Sequence, residues 1–159
     1  MAGYGTNEDF TAYAGDAGQT VPSDGIAAAR QRGSAYVDAL YGSRFSGAPT
    51  GGVQQERAWP RTGAVAFGQA LDPDLIPLRV EQASYEAAMI EARKPGSLAV
   101  VVDPSKRVKR QKVEGIEREF FDPGEGLDGS SIGPVSSVID GLLAPLLIPE
   151  PANIGLWVV

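Results

Sequence analysis

The 159-residue sequence predicts a mainly α fold: a small helical bundle with one β-hairpin and an extended C-terminal arm. Three observations carry that expectation. Residues 77–94 show an uninterrupted amphipathic helical period with clean ends. Residues 106–121 read as two strand-like arms around a Glu-Gly pair. The 20 Gly and 12 Pro make a fifth of the chain, too many for helices throughout, so long irregular arms must join a modest core. A chain of this length is one domain by default. Within it, residues 1–105 form a helical core, 106–121 a basic β-hairpin, and 122–159 an acidic loop, a short helix and the arm.

The central helix orders the rest. Its apolar positions run Ile76, Val80, Ala83, Ala87 and Ile90, steps of three and four that place one stripe on one face. Pro77 suits the first helical position, and Arg93 and Lys94 suit the last turn, where cations meet the negative end of the dipole. Pro95-Gly96 stops the helix. Glu81, Glu86 and Glu91 lie off the stripe. Ala83, Ala87 and Ala88 are small enough to admit another backbone, so this is a packing helix with Ile76, Val80 and Ile90 as core anchors.

Taken in order, a short helix is expected over 7–14 with Asn7 as its cap, and a second over 24–41 capped by Ser23 or Asp24. Gly33 falls within the second helix's apolar stripe, which costs about 1 kcal/mol against Ala unless it permits a close helix contact. The close contact is the preferred reading. Residues 42–52 are loop chemistry, 53–59 suit one or two helical turns, and 60–75 read as irregular. Trp59 is the core anchor of this crossover. In the hairpin, arms 106–113 and 116–121 flank Glu114-Gly115, a plausible two-residue turn. A last short amphipathic helix spans 134–143, followed by a Pro-rich arm with an apolar tip.

Composition removes several classes of function. Without Cys there are no disulfides and no thiolate metal sites; without His, the commonest general base and metal ligand is missing. No enzyme activity and no cofactor are expected. The first ten residues lack the pattern of a signal peptide, and the longest apolar run, 142–148, is short and broken by Pro145, so no membrane partner is expected. A net charge of −6 argues against a general nucleic-acid coat.

Two signals point to contacts. Lys106, Arg107, Lys109, Arg110 and Lys112 are five of the fourteen basic residues, packed into one strand-like arm whose two faces are both cationic. That arm suits phosphates of DNA or an acidic protein surface; the plainer reading is a solvated hairpin edge, which lysines protect from aggregation. No aromatic stacking platform accompanies it, since Phe120 and Phe121 lie at the far end of the second arm. The second signal is apolar. Val138, Leu142, Leu143, Leu146 and Leu147, with the tip Leu156, Trp157, Val158 and Val159, are expected to contact a neighbouring chain; the alternative for the tip, which the intervening prolines disfavour, is a tail folded back over its own core.

Five stretches carry a resemblance: AYVDALYGSRF (35–45), QERAWPRTG (55–63), DLIPLRVEQASYEAA (74–88), RVKRQKVEGIEREFF (107–121) and VIDGLLAPLL (138–147). In order and spacing they resemble short tailed-phage proteins labelled "DnaT-like ssDNA-binding protein" and encoded among virion assembly genes. The resemblance implies one of two functions. One is a head–tail adaptor (connector), a structural subunit of a ring, typically dodecameric, between portal and tail at the head–tail junction of the virion. Its partners would be portal protein, a downstream neck or tail protein and, without sequence preference, genomic DNA in the channel. It would reside in host cytoplasm before assembly. The alternative is a single-stranded DNA binder in phage replication. An acidic chain with one basic strand and no aromatic platform favours the adaptor.

Overall fold

The structure is a computed structural model in which residues 2–98, 111–113, 116–118 and 137–149 are described. Among these, four helices form the body: α1 (Asn7–Asp16), α2 (Ile26–Tyr41), α3 (Leu78–Arg93) and α4 (Ser137–Leu143). The mainly α expectation holds, and α2 against α3 is the principal helix contact. Gly33 makes it possible. A Cβ there would stand 2.4 Å from the Ser84 carbonyl oxygen and 2.6 Å from the Ala88 nitrogen, so α2 meets α3 backbone to backbone.

α3 buries more than the one stripe read from sequence. Val80, Ala83 and Ala87 face the main core, which holds Val37, Phe45 and Trp59. Tyr85, Ala88 and Met89 face a second cluster built on Phe10 and Ala14 of α1. Helix α1 thus covers a second face of α3, outside the single apolar stripe. Ile76 packs at the margin of the main core, while Ile90 is only half-buried. Trp59 is fully buried, edge-on to Phe45 with ring centroids 5.4 Å apart.

Helix ends differ from expectation by local chemistry. Thr6, not Asn7, caps α1: its hydroxyl accepts from the Asp9 N–H at 3.1 Å, and Asn7 instead accepts from the Arg30 guanidinium. Gly25, left-handed at φ 88°, precedes α2 without any side-chain cap. Pro77 is extended and stands just outside α3, which begins at Leu78.

The irregular segment between α2 and α3 contains two small antiparallel ladders. β1 (Ala48–Pro49) pairs with β2 (Arg61–Thr62), and β3 (Val65–Ala66) with β4 (Gln69–Ala70). The helical turns expected over 53–59 reduce to one 3-10 turn at Gly52–Gln54. Further on, β5 (Gln111–Val113) pairs with β6 (Ile116–Arg118), with Val113 opposite Ile116 and Lys112 opposite Glu117. That register matches the hairpin expected around residues 114 and 115. Helix α4 and the 3-10 turn Ala144–Leu146 close the main core through Ile139, Leu143 and Leu146.

Candidate protein-docking cleft

An open cleft of about 660 Å3 lies where three distant segments meet: the β3–β4 hairpin, the first turn of α3, and the α4 end. Its apolar lining is Phe67, Leu71, Leu75, Leu78, Leu142 and Leu146. Several of these side chains face water. Phe67 is 72% exposed, Leu78 64% and Leu75 46%. Scattered exposed apolar residues are ordinary, but a contiguous concave group marks a contact site.

Phe67 is the unusual member. The β3–β4 turn is Phe67-Gly68, with φ of 52° and 77°, the positive pair that a tight two-residue hairpin requires. Gly68 meets that requirement freely, whereas a bulky residue in the left-handed region costs roughly 1–2 kcal/mol. The ring is not buried in return. It lies under the Arg79 guanidinium at 5.4 Å and otherwise presents an aromatic face at the cleft mouth. Val65 at the start of the hairpin is also exposed, at 42%.

Four arginines of the body, Arg30, Arg32, Arg57 and Arg61, are committed to the protein's own groups. The Arg61 guanidinium, nearly buried, donates to the carbonyls of Ser46 (2.8 Å), Ala58 (3.1 Å), Phe45 (3.3 Å) and Gly47 (2.6 Å), and burial pushes its pKa down. Arg30 donates to the carbonyls of Gly3, Tyr4 and Gly5 and to Asn7, fastening the N-terminal segment. Arg57 bridges the Ala2 carbonyl (2.9 Å) and Asp38 (3.3 Å). Arg32 pairs with Glu91 at 3.0 Å. These cations neutralise or satisfy the protein's own groups and do not line a track for phosphates.

Carboxylates and phenols act in the same way. Glu91, placed off the helix stripe by the sequence, is 2% exposed. Burial pushes its carboxyl up, but donation from the Gly96 N–H (2.7 Å), the Leu98 N–H and Arg32 outweighs burial and holds it below the ordinary range. It ties the chain after α3 back onto the helix. Tyr4 donates to Asp38 and Tyr41 to Asp140, the latter linking α2 to α4; burial first, then the neighbouring carboxylate, raises both phenols. Among the described residues there is no group of three or more potential metal ligands, and no helix is long and apolar enough to cross a membrane.

The expected contact residues divide. Val138 is half-exposed on α4, and Leu142 reaches the cleft. Leu143 and Leu146 are spent in the chain's own core, where the α4 region packs on α3, so they do not offer a free face as expected. Leu147 is partly buried and bridges Phe45. Leu156, Trp157, Val158 and Val159 lie outside the described residues, as do Lys106, Arg107, Lys109 and Arg110; Lys112 is described only as a β5 position. Sequence reading missed Phe67, Leu75 and Leu78. A bulky aromatic residue directly before Gly68, within a segment of small and turn-forming residues, was the available signal for Phe67.

Fold and surface together give a small helical body with a solvent-facing apolar cleft, in which Arg30, Arg32, Arg57 and Arg61 are engaged by the protein's own carbonyls and carboxylates. The chain belongs to a family described as "Putative DnaT-like ssDNA binding protein", which matches residues 2–158. That description agrees with the single-stranded DNA alternative and does not name a phage adaptor. No curated protein and no solved structure matches the chain.

Proposed function

We propose that the chain is a structural assembly subunit acting through protein–protein contacts, as a head-to-tail adaptor in a ring between portal and tail of a long-tailed phage. The observation that supports it is the cleft. Exposed Phe67, Leu75 and Leu78 suit an apolar protein segment, whereas Arg30, Arg32, Arg57 and Arg61 are turned to the protein's own carbonyls and carboxylates. Portal protein and a downstream neck or tail protein are the expected partners. The expected location is the virion's head–tail junction. The test is electron microscopy and mass measurement of the purified protein, alone and with portal. Closed rings that co-purify with portal support the adaptor; a monomer that ignores portal sinks it.

A second reading is favoured by the family's description: binding of single-stranded DNA. It would rest on Lys106, Arg107, Lys109, Arg110 and Lys112. A backbone-directed, sequence-indifferent contact is the form it would take, because phosphates rather than bases are what clustered Lys and Arg engage.

A further inference from the structure

We propose that the cleft between the β3–β4 hairpin and α3 receives the apolar segment Leu156, Trp157, Val158 and Val159 of a second copy of this chain. The proposal rests on the assembly reading and names the contact that would carry it.

Chemistry selects the occupant. The cleft offers aliphatic walls at Leu75, Leu78 and Leu142 with an aromatic edge at Phe67, and Gln82 and Arg79 are its polar margin. Residues 156–159 are wholly apolar, and they include the second of the two tryptophans, the first being buried at position 59. An indole fits a cavity of this size, where aromatic anchors contribute most to association. The strained, exposed Phe67 gains the apolar cover that its own subunit does not give it.

Reach and direction favour a neighbour over the same chain. The chain passes the cleft at Leu146 and then moves off: Leu147 bridges Phe45, and the Ile148 N–H donates to the Arg44 carbonyl at 2.7 Å. Pro149 and Pro151 follow, and each disposes the residue before it to extended backbone. Seven residues, 149–155, lie between Ile148 and Leu156, which are therefore eight steps apart. Fully extended, those steps span roughly 26–29 Å at about 3.3–3.6 Å each, about the width of a small domain. An extended departure would carry Leu156 and Trp157 to an adjacent subunit, while return to the same cleft would need a reversal within those seven residues. A head-to-tail contact of this kind, donor segment to acceptor cleft, is heterologous and closes into a ring when the rotation permits.

The chain's lack of Cys allows a direct test. Full-length Leu78→Cys and Val158→Cys, carrying different tags, are mixed and treated with a short bismaleimide. A cross-link between unlike chains is expected, with none when Val53→Cys, exposed away from the cleft, replaces Leu78→Cys. Leu78→Glu should raise the concentration needed for half-assembly by about tenfold or more, since one buried leucine is worth that much. Leu78 is exposed in the subunit, so circular dichroism should show its fold intact. Rings that form without the 78–158 cross-link overturn this docking and leave the assembly reading standing. In a chain carrying both Leu78→Cys and Val158→Cys, a cross-link found only within single chains overturns it in favour of self-occupancy. A protein that remains monomeric at every concentration and with portal overturns both.

Discussion

Gly33 on α2 lies so close to Ser84 on α3 that the serine carbonyl oxygen would be 2.4 Å from any added Cβ. The two helices are thus in register through backbone rather than through interlocked side chains. Ala83, Ala87 and Ala88 continue the same close approach along α3. The contact places Glu91 against Arg32 and sets the base on which α1 and α4 pack.

Gly33→Ala should destabilise the protein although alanine is the better helix former. The propensity gain of about 1 kcal/mol is outweighed by forcing α2 from α3, an overpacking cost of about 1–3 kcal/mol. Thermal unfolding followed by circular dichroism measures the balance. A melting temperature equal to or above wild type would refute the backbone contact.

Arg61→Leu should cost more than Arg79→Leu. The first leaves carbonyls of Phe45, Ser46, Gly47 and Ala58 without their donor in a nearly buried place, a loss of about 2–3 kcal/mol. The second removes an exposed guanidinium over the Phe67 ring, and should change stability by less than about 0.5–1 kcal/mol. Urea unfolding of both variants provides the comparison.

Acid should weaken the joint between α3 and the chain that follows it. The folded pKa of Glu91 is held below its ordinary 4.5, so its contribution is present above that pH and is lost as pH falls toward the folded value. Glu91→Gln should therefore melt below wild type at pH 7, with the gap narrowing on acidification below about 4.5. An unchanging gap between pH 7 and pH 3 would contradict the linkage.

Alkali acts through the phenols. All five tyrosines, at 4, 13, 36, 41 and 85, have pKa values raised above 10.0; burial is the first cause in each, and Tyr13, which donates to Glu86, is pushed up to about 12. A raised folded value means stability is intact below pH 10 and declines as pH rises beyond it. Absorbance at 295 nm should show little phenolate near pH 10 and then a rise that coincides with loss of helical signal. Independent phenolate formation by Tyr4 and Tyr41 in the folded protein would be the contrary result.

The basic arm separates the two functional readings. Replacing Lys109, Arg110 and Lys112 with Gln removes three cations; if they meet single-stranded DNA, the slope of log affinity against log salt should fall by about 2. Tight binding of free DNA by wild type at physiological salt, lost in this variant, favours the replication reading. Unchanged DNA binding with impaired portal docking assigns the arm to a protein surface.

Sequence by itself determined the elements whose causes are local. The three- and four-residue spacing from Ile76 to Ala87 gives α3, small residues at Gly33 and Ala88 announce a close helix pair, and Glu114-Gly115 sets the β5–β6 register. Tertiary structure decided what depends on residues far apart in the chain. Helix α1 buries the second face of α3, which no single-stripe pattern can foretell. Glu91 and Arg61 look like surface charges until the loop amides and carbonyls that surround them are in place. The cleft exists only because positions 67, 78 and 142 are brought together, and periodicity, being a property of neighbours in sequence, carries no information about that meeting.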